Sequence, residues 1–191
     1  MKNLDFLTQR QSVPSKWLTA PGPNPAQLSQ LLQAALRVPD HGLLQPFRLL
    51  TISGDARKQL GNLLAERWQQ LHPDAGGAAL DKERGRFAQA PLIVTVIGCV
   101  QSTERIPAQE QLLSAGCVGY NLLLGAQALG FGAQWLTGWA AYDPVIATRL
   151  GLQAAETVLG FIHIGSAPAP APERPRPLLA EKVSVWEAPP R

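Results

Sequence analysis

The side chains best suited to chemistry lie in two short runs, residues 10–12 and residues 37–47. The first run reads Arg-Gln-Ser, and the second contains Arg37, Asp40 and His41 before Gln-Pro-Phe. Guanidinium groups present a planar fork of donors that fits phosphate oxygens, and a serine hydroxyl adds a further donor. A plain structural interpretation also holds for the second run, since arginine favours a helix C-terminus and the proline after it would end that helix. From the residues alone, both interpretations stay open.

No motif for side-chain catalysis stands out in the rest of the sequence. The serine-hydrolase elbow and the Gly-x4-Gly-Lys-Ser/Thr phosphate loop are absent, and the glycines flanking Phe131 neither follow a strand nor open a helix. The histidines at 41, 72 and 163 lack the paired spacing of a zinc site. Cys117 is expected to lie buried within a helix, which makes it a poor candidate nucleophile. If the protein is an enzyme, a bound cofactor therefore carries its chemistry.

These runs must be positioned around an uncharged middle segment. No Asp, Glu, Lys or Arg occurs between Glu110 and Asp143, although such residues make up 16% of the chain. Apolar residues at spacings of three, four and seven after Pro107 predict one long helix that Gly130 ends. The alternation over residues 131–139 predicts a buried strand packed on that helix. Polar residues interrupt the segment, which favours a core helix over a membrane span, and its small residues also permit a dimer axis.

Helices and strands are intermixed over the rest of the chain without strict alternation. Asn24 followed by a proline predicts a capped helix, and Asp55 and Asp143 each predict the start of another. Further helices are expected at residues 3–10 and 79–89. Three apolar runs predict strands, at residues 47–53, 92–99 and 157–164. The middle run is continuous in apolar and β-branched residues, which is typical of a strand buried on both faces.

Composition narrows the class of protein. A length of 191 residues with 46% hydrophobic content suits one domain with one core. The net charge is +3, and the close basic pairs lack interleaved aromatic residues, which argues against nucleic acid as a partner. Two cysteines cannot make a disulfide framework, and the N-terminus lacks the apolar core of a signal peptide. We therefore expect a cytoplasmic protein with no membrane partner and no metal site.

The C-terminal segment differs in composition from the rest. Residues 166–191 are rich in proline, which lacks the N–H donor needed for helices and sheets. Leu178, Leu179 and Trp186 nevertheless make this segment too apolar for a free linker. The expected organisation is one domain over residues 1–165, followed by an extended arm that packs on this domain or on a partner subunit.

The order of these features resembles the nitroreductase family, and within it the small YdjA-like branch of flavin-mononucleotide (FMN) enzymes. Members show an Arg-Arg-Ser-like triplet, a helix ending in Arg-x-Pro-Asp-His, a Gln-Pro-aromatic entry to the first strand, an Ala-Pro-Leu-Ile-Val strand, a Ser-Ala-Gly-Cys helix, Gly-Phe-Gly-x-x-Trp and Val-Gly-Phe-Ile-x-x-Gly. The matching segments stand in the same order, at residues 10–12, 34–41, 45–47, 90–94, 114–117, 130–135 and 159–165. Each motif is weak alone, and their shared order and spacing carry the resemblance.

The resemblance implies an α+β nitroreductase fold: a mixed, mostly antiparallel sheet flanked by helices, in a homodimer formed through the central helix. It implies an FMN-dependent oxidoreductase that takes a hydride from NADH or NADPH and passes electrons through the flavin to a nitro compound, a quinone or a similar small-molecule acceptor. Two alternatives stay open. One is an FMN enzyme with another substrate, such as an activated alkene, and the other is a flavin-free or flavin-sequestering dimer with a binding role.

The same resemblance assigns the contacts of the cofactors. The flavin contacts from one subunit would be Arg10, Gln11, Ser12, Trp135, Leu136 and Thr137. Arg37 and His41 would reach over from the other subunit, so that the flavin sites lie at the interface. The nicotinamide nucleotide would lie against Gly125, Ala126, Gln127, Ala128, Leu129 and Gly130. Two positions depart from the family pattern, because Gln11 replaces the second arginine and Leu136 stands where a basic residue can occur. Both departures remove positive charge beside the expected flavin.

Overall fold

The structure is a computed structural model, and it describes residues 4–188. The helices in this part are α1 (Asp5–Thr8), α2 (Pro25–Ala35), α3 (Ala56–Leu71), α4 (Gly77–Gly85), α5 (Ala108–Ala128), α6 (Pro144–Arg149) and α7 (Leu179–Lys182). The strands are β1 (Phe47–Ser53), β2 (Leu92–Cys99), β3 (Gly132–Leu136) and β4 (Glu156–Gly165). The elements predicted from the sequence are therefore present, although α4 begins and ends earlier than the helix predicted at residues 79–89.

The strands form one sheet in the order β1-β2-β4-β3. Every pairing of these strands within residues 4–188 is antiparallel, so the expected mixed sheet is antiparallel throughout this part. Residues 92–98 of β2 are buried, as predicted for a strand covered on both faces. Alternate side chains of β2 enter two hydrophobic clusters, one against α2 and α5 and one against α3 and α6.

Helix α5, a glycine turn and β3 form the unit predicted from the uncharged segment. At the end of α5, Gly130 has a φ of 80°, and the N–H of Phe131 donates to the carbonyl of Ala126 at 2.8 Å. The strand stops at Leu136 instead of running to residue 139, because Gly138 has a φ of 81° that ends the extended backbone. Within residues 4–188, no helix is long and apolar enough to cross a membrane.

Two of the three predicted N-caps are confirmed. The Asn24 side chain accepts a hydrogen bond from the N–H of Gln27 at 2.9 Å, and the Gln27 side chain accepts one from the N–H of Asn24 at 3.0 Å. Asp143 accepts from two N–H groups in the first turn of α6, each at 3.0 Å. The prediction for Asp55 is wrong, since its side chain makes no cap hydrogen bond and instead meets Lys58 at 3.2 Å. Its backbone is helical, with ψ at −19°, where a capping residue is usually extended.

Beyond Glu110 in its first turn, the side of α5 that faces away from the sheet is uncharged and exposed in the single chain. Leu113 and Tyr120 are 64% and 42% exposed, and Cys117 between them is exposed as well. The expectation that Cys117 lies buried is therefore wrong for a single chain. The reason is that α5 covers the sheet with its opposite side, where Val118 and Leu122 join the hydrophobic core.

The C-terminal segment divides into a docked part and an exposed part. Thr19 and Ser166 exchange two backbone hydrogen bonds of 2.9 Å, and Ala167 and Ala171 pack against the apolar cluster around Leu18. The large apolar side chains further along are between 60% and 86% exposed: Leu178, Leu179, Val183, Val185 and Trp186. The first part of the arm thus lies on its own domain. That the second part packs on a partner subunit stays a prediction.

Candidate functional site

A cavity of about 300 Å³ lies where three distant parts of the chain meet. Its walls come from the N-terminal segment, from β3 and from the C-terminal segment. They are formed by Gln11, Ser12, Gln134, Trp135, Pro172, Arg174 and Arg176. Three of the predicted flavin contacts, Gln11, Ser12 and Trp135, are therefore brought together in one cavity.

Hydrogen bonds hold the N-terminal wall against β3. The N–H of Val13 donates to the carbonyl of Ala133 at 3.0 Å, and the N–H of Ser15 donates to Oε1 of Gln134 at 2.5 Å. Gly132 allows this close approach, since a Cβ there would lie 3.0 Å from Cγ2 of Val13. The residues before Val13 are in this way fixed beside the strand that carries the other predicted contacts.

Trp135 fixes β3 through a socket for its ring. Its Nε1 donates to the carbonyl of Leu159 at 3.1 Å, next to a register shift in the pairing of β4 with β2. A Cβ at Gly119 would lie 2.5 Å from the ring, and one at Gly160 would overlap it. Because the ring fills a socket between α5 and β4, packing fixes the position of Trp135 in the wall of the cavity. Two further predicted contacts follow it, half-buried and outside the cavity lining: Leu136 and Thr137.

The positive charge at the cavity comes from both ends of the chain. Arg174 and Arg176 line it directly, and Nη1 of Arg10 lies 3.5 Å from Oγ of Ser12 on the N-terminal wall. Glu173 accepts hydrogen bonds from the N–H of Arg174 at 3.0 Å and from Nε of Arg176 at 3.2 Å. The bond from the Arg174 N–H is the main cause that holds the pKa of the Glu173 carboxyl below its usual value. Three guanidinium groups against one carboxylate leave a net positive site that suits a phosphate.

Sequence reasoning missed Arg174 and Arg176 as site residues. In the sequence they form only a close basic pair within a proline-rich run. The signal that could have found them is the Arg-Pro-Arg order. Proline keeps such a run extended, and in an extended chain residues two apart point to the same side.

Arg37 and His41 lie outside this cavity, exposed on the loop after α2. Polar side chains of α5 hold that loop in place. Asn121 Nδ2 donates to the Arg37 carbonyl at 3.1 Å, and Ser114 Oγ donates to the carbonyl two residues later at 2.7 Å. The His41 Nδ1 atom lies 2.9 Å from Oε2 of Glu110. The loop is thus fixed and faces outward, as a contribution to a partner's site would require, and that contribution stays a prediction.

The stretch 125–130, expected to contact the nicotinamide nucleotide, also lies outside the cavity lining. Gly125 packs against Leu31 of α2, where a Cβ would come within 2.5 Å of the leucine side chain. Ala126 is fully buried, and Gln127 Nε2 donates to a carbonyl of α1 at 2.9 Å. Leu129 is half-buried, so the members most open to a ligand are Ala128 and Gly130. Contact with the nucleotide stays a prediction.

A second cavity, of about 700 Å³, lies between α6, the start of β4 and the start of α5. Its acidic residue, Glu156, is paired with Arg48 through two hydrogen bonds of 2.7 Å, and these lower the Glu156 pKa to about 2. Nearby, burial raises the pKa of Cys99 to about 11, so its thiol is a poor nucleophile. No group of three or more His, Cys, Asp or Glu side chains in the described part of the chain is placed to hold a metal ion.

Comparison of the sequence with known proteins identifies relatives along most of the chain. The model of the nitroreductase family matches residues 7–166. A protein of Escherichia coli K12 named "Putative NAD(P)H nitroreductase YdjA" is 31% identical over 166 residues, which cover 87% of this chain and 88% of that protein.

Solved structures share the fold. A nitroreductase-like family protein of Bacillus cereus superposes with a TM-score of 0.80 at 22% identity, over 96% of this chain and 95% of that one. A nitroreductase-fold protein of Desulfovibrio desulfuricans in complex with FMN gives a TM-score of 0.72 at 22% identity, over 99% and 100% of the two chains. With the family match spanning residues 7–166, this chain belongs to the nitroreductase family.

Proposed function

We propose that this chain is an FMN-dependent NAD(P)H oxidoreductase that reduces a nitro compound, a quinone or a similar small-molecule acceptor. Membership of the nitroreductase family supports the reaction class. The observation that supports FMN as the cofactor is the cationic cavity, which is lined by residues 11–12 together with Arg174 and Arg176. Bound FMN would supply the hydride chemistry, while the side chains of the protein would bind and orient the FMN. This division fits a chain whose sequence shows no motif for acid–base or nucleophilic catalysis.

The donor set of the cavity fits the phosphate of FMN. A phosphate monoester carries a charge of about −2 at neutral pH and accepts several charge-assisted hydrogen bonds. Ser12 offers a hydroxyl, and Arg174 and Arg176 offer guanidinium groups on the opposite wall. These two arginines replace the charge that is missing at Gln11 and Leu136. The departures from the family pattern therefore leave an anion-binding site intact.

NADH or NADPH and the acceptor would use the same open face of the site in turn. The NAD(P)H assignment follows the name of the E. coli relative, and the exposed residues Ala128 and Gly130 are the part of the expected nucleotide stretch that could meet the donor. The alternative with an activated alkene as acceptor keeps the same flavin. A cytoplasmic location belongs to the same proposal.

The active form would be a homodimer with a flavin site at each end of the interface. Beyond Glu110, the outer side of α5 exposes Leu113, Cys117 and Tyr120. Leu36, which directly precedes Arg37 at the end of α2, is 47% exposed. An apolar surface of this kind marks an interaction site. A two-fold axis beside α5 would bury it and let the loop with Arg37 and His41 reach the other subunit's cavity.

The absorbance spectrum of the purified protein tests the proposed cofactor. We expect a yellow protein with flavin bands, or a colourless one that binds added FMN and then oxidises NADH or NADPH when a nitro compound or a quinone is present. The variant Arg174→Ala/Arg176→Ala should bind FMN at least about tenfold more weakly, while Arg149→Ala, an exposed arginine of α6, should not. A protein that stays colourless with excess FMN would support the alternative of a flavin-free binding dimer.

Mixing of subunits tests the shared site. The variants Arg10→Ala/Ser12→Ala and Arg37→Ala/His41→Ala should each bind FMN poorly, because both sites of each homodimer lose one half. A heterodimer of the two variants would place all the changes in one site and leave the other intact, so half of its sites should recover. No recovery in a heterodimer shown to have formed would mean that all four residues act within one chain.

A further inference from the structure

We infer that Gln11 and Glu173 form a latch that holds the C-terminal arginines at the phosphate end of the cavity. Gln11 Nε2, on the N-terminal wall of the cavity, donates a hydrogen bond to Oε2 of Glu173, which lies in sequence between the lining residues Pro172 and Arg174. The inference rests on the proposed FMN site and gives Gln11 a role other than the direct flavin contact implied by the family resemblance. Gln11 is a positioning residue, which acts on the cofactor through Arg174 and Arg176.

The bond between Gln11 and Glu173 ties the described segment 172–188 to the site. Within the described residues, the hydrogen bonds of segment 172–188 stay inside that segment except for the one between Gln11 and Glu173. Upstream, the chain is fixed by the backbone bonds of Ser166 and by the packing of Ala171. The short run that carries the two arginines is therefore held at its start by main-chain contacts and across the cavity by one side-chain bond.

The carboxylate of Glu173 connects the Gln11 amide to both arginines. One oxygen receives the Gln11 amide, while the other receives the N–H of Arg174 at 3.0 Å and the guanidinium of Arg176, whose Nε and Nη2 lie 3.2 and 3.1 Å away. A guanidinium has five N–H donors, so Arg176 keeps donors for a ligand after making these contacts. Glu173 therefore fixes the direction of the guanidinium without using all of it.

Glutamine suits position 11 in this arrangement better than the arginine of the family pattern. A neutral amide donates to Glu173 without drawing the carboxylate away from Arg176. An arginine at position 11 would pair with Glu173 itself and compete with Arg176 for the same oxygens. In this chain the C-terminal arginines supply the positive charge that the family pattern has at position 11. The Gln11 amide helps to hold the segment that carries them.

Titration with FMN and with riboflavin tests the latch, because riboflavin lacks the phosphate. The variants are Gln11→Ala, Glu173→Ala and the two combined, with Glu181→Ala as a control in the exposed part of the same segment. Each single variant should bind FMN about tenfold more weakly and riboflavin with unchanged affinity. The combined variant should be no weaker than the single ones, because the two side chains act as one unit.

The outcomes separate the latch from other roles. Equal losses for FMN and riboflavin would overturn it, since Gln11 would then support the flavin ring or the fold. Losses that add in the combined variant, or unchanged FMN affinity in Gln11→Ala, would overturn it as well, and unfolding curves of all four variants show whether the fold is kept. A wild-type protein that binds neither flavin would instead defeat the proposed function, and the latch with it.

Discussion

The two halves of the expected flavin site are built in different ways. Around Trp135 the site is packed, with the indole in a glycine socket and the N-terminal segment bonded to β3. The loop that carries Arg37 and His41 is instead exposed and held by polar side chains of α5. A packed socket resists change because its neighbours leave no room. Substitutions in the socket should therefore act mainly through stability, and substitutions in the loop should act mainly through cofactor binding.

The largest effect is expected in the socket, for Gly160→Ala. The new methyl group would overlap the Trp135 ring and displace its hydrogen bond to Leu159. Overpacking of a core costs about 1–3 kcal/mol, and the lost hydrogen bond adds to it, so we expect about 3 kcal/mol of lost stability and weaker FMN binding. The control is Gly116→Ala in α5, where a Cβ would meet no atom within 4 Å. Urea unfolding that gave equal midpoints for both variants would contradict the socket.

The second effect concerns the buried His163 of β4, which stacks on Phe87 with ring centroids 5.5 Å apart. Burial, with a smaller contribution from Arg86, lowers the pKa of His163 to about 4. In the unfolded chain this pKa is about 6.5, so below that pH the unfolded state takes up a proton first. Stability should therefore fall between pH 6.5 and pH 4, by up to about 3 kcal/mol.

The variant His163→Gln should remove this dependence on pH, whatever its own stability. Free energies of unfolding measured at several pH values between 4.5 and 7 give the slope. Four carboxyls in the described part of the chain have lowered pKa values, and their contributions to stability are lost below about pH 4.5, outside this window: Glu83, Asp143, Glu156 and Glu173. An unchanged slope in the variant would show that another group is responsible.

Local signals explain why so much of the packed half was predictable. The capping box at Asn24 depends on residues a single turn apart, and the continuous apolar run of β2 marks its burial directly. The α5 helix, the turn at Gly130 and β3 follow from adjacent residues in the same way. The order of the family motifs then assigned residues 11–12 and Trp135 to one site, where the structure brings them together.

The remaining features depend on contacts that the sequence does not reveal. Gln11 and Glu173 are 162 positions apart, and they can meet because the backbone bonds between Thr19 and Ser166 bring the two ends of the chain together. The sequence predicted a buried Cys117 because the residues around it in α5 are apolar or small. Its burial depends instead on which side of the helix the sheet covers. Asp55 has the right residue type for a cap, yet with its helical backbone angles its carboxylate accepts no hydrogen bond from the N–H groups of the first turn.

The third prediction compares Arg37, on the loop of the second half, with Arg48 of β1, which lies outside the expected flavin site. Arg37→Ala should weaken FMN binding about tenfold and change stability little, because its side chain is exposed. Arg48→Ala should leave FMN binding unchanged and cost about 1–2 kcal/mol, because it leaves the largely buried Glu156 without its main partner. Isothermal titration and urea unfolding of both variants measure the two effects. Equal FMN dissociation constants would count against the assignment of Arg37.

The smallest effect is expected for Glu110, which meets the His41 ring at 2.9 Å while their side chains are 49% and 65% exposed. An exposed pair of this kind contributes about 0–1 kcal/mol, so Glu110→Gln and Glu110→Ala should leave the unfolding free energy nearly unchanged. If Glu110 orients the ring, Ala should weaken FMN binding about threefold and Gln less, because an amide oxygen still accepts from Nδ1. Equal losses in the two variants would mean that the charge matters and not the orientation. Glu104→Gln, exposed in the loop before α5, is the control, and wild-type affinity in both Glu110 variants would remove Glu110 from the site.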